Sequence, residues 1–437
     1  MREMKDSGVE WIGEVPREWQ LLRFKDKYIN KKEIAKERAL EYERLALTLN
    51  GVIKRPKNDS EGLQPKEFDG YQIIEVNDFV FKMIDLQNIS TSRVGLSPYR
   101  GLVSPAYIRF SSKNTNQYNQ FVYYYLMSLY YNQVFNNLGG NGVRSALNAK
   151  DMGEFLVPYP AENEQIRICS CLDKTIIQVD TLIQNVQTQI EKLKAYKQSL
   201  ITEAVTKGLD STVPMKDSGV AWIGDVPLNW NLTSIGRMCF VTKLAGFEYT
   251  SEMNGNITPI GDVPIVRAQN VKMGKFIEPV DNYISFEISK KLDRCALDKK
   301  SLLITFIGAG IGEVAIFDRD RRYHLAPNVA KIVIYDSMKS WIREEYLLYF
   351  IMSSSGQEEV NKIKKATAQP SLSMQTIRSI AIVIPPVEEQ LLIAAYLDKK
   401  CAQIDRLIAI KQAKIEKLEQ YKRSLIYEYV TGKKEVV

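Results

Sequence analysis

MKDSGVEWIGEVPREW occupies residues 4–19, and MKDSGVAWIGDVPLNW occupies residues 215–230. Twelve of the sixteen positions are identical at an offset of 211. An internal repeat of this length decides the architecture before any single helix or strand is read. Further matches follow at a second offset, 225. Glu164-Gln165 returns as Glu389-Gln390, Leu172-Asp173-Lys174 as Leu397-Asp398-Lys399, and IEKLKAYKQSLI (190–201) as IEKLEQYKRSLI (415–426). The second intervening segment is therefore fourteen residues longer than the first. The chain reads as signature, variable segment and helix, and then the same three again.

The helices follow from periodicity. Cys169, Leu172, Ile176, Val179, Ile183, Val186, Ile190, Leu193, Lys197 and Leu200 are spaced alternately three and four apart. The second copy gives Ala394, Leu397, Cys401, Ile404, Ile408, Lys411, Ile415, Leu418, Lys422 and Leu425. So narrow a stripe is a coiled-coil seam rather than the broad face of a helix lying on its own domain. Prolines precede each helix (Pro158 and Pro160; Pro385 and Pro386), and Gly208 and Gly432 end them. From Cys169 to Leu200 the rod spans roughly 48 Å. Periodicity leaves open whether the two helices run parallel or antiparallel.

The expected boundaries are a repeat segment at 1–19, a variable domain at 20–158, a helix at 159–210, the second repeat segment at 211–230, a variable domain at 231–384 and a helix at 385–437. The variable segments differ, but YYYLMS (123–128) still aligns with the second copy, Tyr125 over Phe350 and Met127 over Met352. Short β-like runs such as VPIVRAQNV, broken by glycine and proline, predict mixed α+β domains with tyrosine-rich helices.

Composition narrows the function. At 437 residues the chain expects more than one core. An apolar share of 45% and a charged share of 25% are those of a folded protein. No apolar run reaches membrane length, and Arg2, Glu3, Lys5 and Asp6 do not resemble a secretory leader. Five scattered cysteines and one histidine offer neither a disulfide framework nor a zinc set, and suit a reducing cytoplasm. A net charge of +7 permits a nucleic-acid partner without requiring one.

Catalytic motifs are sparse. FIGAGIGEV (306–314) has the glycines of a cofactor loop, but charged β-like VAIFDRDRR follows it, where a phosphate-cradling loop needs a helix. It reads as a glycine-rich hairpin. No nucleotide-binding P-loop is present, no proline is followed by aspartate to open a nuclease motif, and His324 has no evident nucleophile or acid partner. The basic and amide-rich stretches remain. In the first variable segment these are Lys54, Arg55, Lys57, Arg93, Tyr99, Arg100, Asn141 and Arg144. In the second they are Arg267, Gln269, Asn270, Lys272, Lys275, Arg319, Arg321, Arg322, Asn328, Gln369 and Ser371. Arginine can bond guanine bidentately, glutamine and asparagine can bond adenine, and lysine neutralises phosphate. For any one of these residues a solvated loop is the plainer reading. The run Tyr123–Tyr125 with Tyr130 and Tyr131 could stack bases, but its second copy, Leu-Tyr-Phe-Ile, favours core packing.

The layout resembles the specificity subunit of type I restriction–modification systems over essentially the whole chain. Its marks are W-I-G-x-V-P at 11–16 and 222–227, the Glu-Gln pairs, the IEKL…SLI helices, GLVSPAYIRF (101–110) and GAGIGEVAI (308–316). The resemblance implies two target recognition domains, each reading half of a split, asymmetric DNA site, and two antiparallel helices that set the gap. It also implies docking of two methylation subunits, which methylate adenine at N6, and of restriction subunits. S-adenosylmethionine, ATP and Mg are then expected on those partners and no cofactor on this chain, which catalyses nothing alone. The rival readings are a stand-alone methyltransferase using FIGAGIGEV and a coiled-coil scaffold that never touches DNA.

The repeat also predicts a closed circle. The C-terminal helix ends where another signature is due, so residues 4–19 should lie beside that end, with Trp11 and Trp222 packed on the helix termini.

Overall fold

A computed structural model describes residues 2–48, 51–58, 67–84, 86, 93–114, 117–138, 146–279, 281–366 and 371–436. The chain forms two compact units, one of residues 1–187 with 413–437, the other of residues 188–412. Each is an α+β domain on a stretch of paired long helix.

In the first unit a mixed sheet has the order Gly51–Arg55, Arg44–Thr48, Gly101–Val103, Gln72–Ile74, with Arg44 parallel to Leu102. An antiparallel sheet has the order Tyr28–Asn30, Ile108–Ser112, Phe79–Phe81, Val94–Leu96. The second unit repeats both orders. Its mixed sheet runs Tyr283–Ile284, Val263–Val266, Tyr323–Leu325, Ala296–Leu297, again with a parallel central pair. Its antiparallel sheet runs Cys239–Lys243, Val329–Ile334, Ser301–Thr305, Val314–Phe317. The variable segments are therefore duplicates in topology, although their sequences share little. A two-stranded pair ties each domain to its helix: Gln20–Arg23 with Leu156–Tyr159, and Asn231–Ser234 with Ala381–Ile384.

The long helices are Glu162–Lys207 and Val387–Val430. Every predicted seam position is buried or half-buried, including Leu172, Ile176, Val179, Ile183, Val186, Ile190, Leu193 and Leu200, and Leu397, Ile404, Ile408, Ile415, Leu418 and Leu425. The question of direction is settled within each unit. In the first, the Cys171 thiol lies 3.5 Å from the Tyr429 hydroxyl, and Lys422 Nζ donates to Asp180 at 2.6 Å. In the second, Lys411 Nζ donates to Gln189 at 2.6 Å and Lys197 Nζ to Asp405 at 2.7 Å. As one number rises the other falls, so the pairing is antiparallel. The three lysines that interrupt the apolar seam keep their stems along it and send their ammonium groups to the facing helix.

The signature completes each unit at a helix end. Gly432 (φ +72°) and Gly208 (φ +80°) take the left-handed conformation that terminates the helices. A Cβ on Gly432 would lie 2.3 Å from Pro16 Cδ and 3.2 Å from Trp19 Cη2. One on Gly208 would lie 3.3 Å from Trp230 Cζ2 and 3.0 Å from Glu389 Oε1. Residues 4–19 do sit beside the C-terminal helix end: Lys433 Nζ donates to the Ile12 carbonyl at 2.7 Å, and the Tyr427 hydroxyl to the same oxygen at 3.2 Å. The tryptophans at the helix ends are nevertheless Trp19 and Trp230, not Trp11 and Trp222. Trp11 is half-buried with its ring 5.9 Å from Phe155, and Trp222 is 37% exposed. The reason is chemical: the buried indole needs an acceptor, and the Glu of each Glu-Gln pair supplies it. Trp19 Nε1 donates to Glu164 at 3.2 Å and Trp230 Nε1 to Glu389 at 3.0 Å. The glutamines hold the helix entries, Gln165 donating to Pro160 O and Gln390 to Pro385 O, both at 2.9 Å.

The tyrosine-rich helices pack into the cores, as Tyr124, Tyr125, Tyr346 and Tyr349 show. Tyr124 donates to Asp173, and at the equivalent place Tyr349 donates to Asp398 at 2.6 Å. That contact explains the aspartate of the repeated Leu-Asp-Lys.

Candidate nucleic-acid interface

In the first unit the basic residues gather on one end of the mixed sheet. Lys54 donates to Glu43 at 2.6 Å, and its ammonium lies 5.2 Å from the Tyr99 ring centre. The Glu43 bond pushes the Lys54 ammonium above its ordinary value. Arg100 pairs with Glu75 at 3.0 Å, with its guanidinium 5.0 Å from the Tyr42 ring. Lys57 donates to the Ala39 carbonyl at 2.6 Å. Lys54, Lys57, Tyr99 and Arg100 thus converge on residues 39–43, and Arg55 is half-buried on the strand that carries Lys54. Arg93 departs from expectation. It is 1% exposed, buried beside the strand Val94–Leu96, and offers no surface to a duplex. Asn141 and Arg144 lie outside the described residues.

In the second unit Arg267, Gln269 and Asn328 line one open cleft of about 500 Å³, together with Tyr249, Ile257 and Pro327. Asn270 is buried and plays another part. Its side-chain oxygen accepts from the Arg267 backbone N–H at 2.8 Å and closes the short turn Ala268–Asn270 that presents Arg267 and Gln269.

FIGAGIGEV is a hairpin. Strand Ser301–Thr305 enters it, and the antiparallel strand Val314–Phe317 leaves it, with Leu302 opposite Ile316. Without a following helix there is no ring of helix N–H groups for a cofactor phosphate. The hairpin adjoins the cleft, because Phe306 N–H donates to Asn328 O at 3.1 Å and Ile307 bridges Ser371. Lys272 pairs with Glu313 of the same hairpin at 3.2 Å, while Lys275 is exposed on the neighbouring strand. Lys243, which sequence reasoning missed, holds its ammonium 4.4 Å from the Phe306 ring. A lone lysine at a strand end carries no signal of its own.

The remaining arginines form a separate group. Arg319 pairs with Glu278 at 3.3 Å and lies 5.2 Å from the Phe276 ring, and Arg321 donates to the Tyr323 hydroxyl at 3.1 Å. Arg322 is committed internally, donating to Ser289 Oγ at 2.8 Å and to Asp293 at 2.7 Å. Gln369 lies outside the described residues. His324 is fully buried, its ring nitrogens 3.0 Å from Leu325 O and 3.3 Å from Leu292 O, and burial holds it below its ordinary pKa. Among the described residues no three His, Cys, Asp or Glu side chains converge as a metal set, and no helix is long and apolar enough to cross a membrane.

The sheet end in the first unit and the cleft in the second each present cationic and amide or hydroxyl groups that can donate to and accept from a polyanion. Comparison with known proteins agrees. The family model for the type I restriction modification DNA specificity domain matches residues 20–192 and again 227–420. The chain is 25% identical over 427 residues to the type I restriction enzyme MjaVIII specificity subunit of Methanocaldococcus jannaschii, covering 96% of this chain and 93% of that one. To the putative MjaX specificity subunit of the same organism it is 23% identical, covering 97% and 95%. A solved chain from work on complex assembly and conformational transition of the type I R-M system superposes with a TM-score of 0.70 at 14% identity. That match covers 95% of this chain and 98% of that one, and shows a common fold.

Proposed function

The chain belongs to the type I restriction modification DNA specificity family, and from that premise we propose that each α+β domain reads one half of a bipartite, asymmetric DNA target. The observation that carries this is duplication with divergence. Two domains of identical strand order present different side chains at their open ends, Lys54, Tyr99 and Arg100 in one and Arg267, Gln269 and Asn328 in the other. Two unlike readers on one chain require a non-palindromic site, where a homodimer would require a palindrome. The antiparallel helices set the gap between the halves. Both helices carry exposed apolar side chains, Ile177 and Leu182 in the first unit and Leu392, Leu407 and Ile410 in the second. Two methylation subunits dock there, bringing S-adenosylmethionine for adenine N6 methylation, and ATP- and Mg-dependent restriction subunits join them. This chain supplies recognition and no chemistry.

The test is to exchange residues 20–158 for the equivalent segment of a relative and to map methylated sites in the host genome. The half-site read by that domain should change while the other stays constant. An unaltered motif, or a change in both halves, overturns the reading.

A further inference from the structure

Among the described residues the three most exposed large apolar side chains are Leu40 at 89%, Ile260 at 86% and Phe247 at 76%. Scattered exposed hydrophobics need no explanation, but these three share a topological address. Leu40 lies between the strands Tyr28–Asn30 and Arg44–Thr48. Phe247 and Ile260 lie between Cys239–Lys243 and Val263–Val266, which are the equivalent strands of the second domain. The two connections, KKEIAKERALEYE and LAGFEYTSEMNGNITPIGD, have unrelated sequences and lengths.

Both connections are pinned. In the first, Ala35 and Ala39 are buried against Ile73 and Leu102, and Ala35 N–H donates to Tyr71 O at 2.8 Å. The short turn Lys36–Leu40 therefore holds Leu40 outward on an anchored base. In the second, Glu248 accepts from the Ala245 N–H at 2.8 Å and pairs with Arg294 at 2.7 Å, which fixes Phe247 between them. Thr258 donates to Ile260 O at 2.8 Å and pairs through its backbone with Tyr283. An apolar group held rigidly in water loses the shelter a mobile loop could give it, so it points to a partner that covers it.

The surroundings identify that partner. Leu40 adjoins Ala39, whose carbonyl receives Lys57, and lies two residues from Tyr42, which is stacked under Arg100. Phe247 and Ile260 flank Tyr249 and Ile257, which line the cleft with Arg267, Gln269 and Asn328. Apolar tips beside cations and amide side chains match the major groove of a duplex, where thymine offers a methyl group next to hydrogen-bonding edges. We infer that Leu40 in one domain, and Phe247 with Ile260 in the other, are apolar specificity contacts to base edges, one set per half-site. This rests on the proposal that each domain reads half of a DNA target.

The experiment uses the chain assembled with its methylation subunits and three duplexes: the target, and the target with one or the other half-site scrambled. Leu40→Ala should weaken binding to the intact target roughly tenfold. It should leave unchanged the already weak binding to the duplex lacking the half-site of the first domain. The double variant Phe247→Ala, Ile260→Ala should show the mirror pattern. Being surface changes, both should melt at the parent temperature. Parent affinity for the intact target in either variant overturns the inference, as does an equal loss on all three duplexes. If exchanging residues 20–158 still moves one half-site, that failure is confined to the apolar contacts. If the exchange moves nothing, the reading of the domains fails and this inference falls with it.

Discussion

Trp230→Phe is the sharpest probe of how the signature holds a unit together. Trp230 is fully buried against Gly208 and gives its indole N–H to Glu389 at 3.0 Å. Phenylalanine removes that donor and one ring. A hydrogen bond to a charged group contributes about 1.5–3 kcal/mol, and the void left by the missing ring adds about 1–2 kcal/mol. The expected loss is about 2.5–5 kcal/mol, local to the second unit. Glu389→Gln keeps an acceptor oxygen and should lose about 1 kcal/mol or less. The other copy is an internal control. Glu164 also pairs with Arg2 at 2.5 Å, so Trp19→Phe leaves its carboxylate with a cation, whereas no ion pair to Glu389 is found among the described residues. Trp19→Phe should therefore cost about 1 kcal/mol less. Hydrogen exchange of the amides at 200–207 and 387–395, with urea unfolding alongside, measures the difference. If Trp230→Phe costs no more than Glu389→Gln, the bond between signature and helix is not what fixes this end of the unit.

Three further outcomes follow from the same contacts. Four residues inserted after Ile183, matched by four after Leu418 because the helices are antiparallel, lengthen the pair by ~6 Å. Methylation mapping should show a gap between half-sites wider by about one or two base pairs, and an unchanged gap refutes the ruler. Burial holds His324 below its ordinary pKa in the folded chain, while the unfolded chain takes up a proton below about pH 6.5. Stability is thus full above that pH and declines as pH falls toward the depressed folded value. His324 is the sole histidine, so His324→Gln should flatten the change in urea midpoint between about pH 7.5 and about 5.5. Burial pushes the thiols of Cys169 and Cys239 up to about 12 and that of Cys295 up to about 11. A thiolate-selective reagent should label half-buried Cys171 first, and mass spectrometry should find buried Cys169, Cys239 and Cys295 modified only on unfolding.

The architecture was legible wherever the repeat was written in residues. The seam spacing, the two glycine stops and the Glu-Gln pairs marked the helices, because knobs-into-holes packing and capping constrain residue type at fixed positions. The repeat places the signature beside a helix end, but it does not show which of its tryptophans meets the helix. Trp11 and Trp222 sit in the more regular W-I-G-x-V-P, while the tryptophans that meet the helices come three residues after the prolines, where only the distant Glu164 and Glu389 reveal their task. The strand order of the domains could not be read. Strands such as Gln72–Ile74 and Ala296–Leu297 are two or three residues long, and many sequences fit a short, fully covered strand. The interface residues were harder still. Arg93 and Asn270 have the chemistry of DNA contacts and are buried, and Arg322 is spent on Ser289 and Asp293. A basic residue in a loop looks the same in sequence whether it faces solvent or a neighbouring turn.

The closing of the first unit by residues 413–437 has a consequence for synthesis. When residue 187 has left the ribosome, that unit still lacks Leu425, Ile426, Tyr429 and Val430, which pack in the same core as Ile12, Trp19 and Phe121. Residues 188–412 must be made first, which at 5–20 residues per second takes roughly 10–45 s. The second unit is contiguous and can be complete before the first. The order of folding is then the reverse of the order of translation, and for that interval the nascent chain presents an unfinished apolar surface that a holdase could shield and a protease could find.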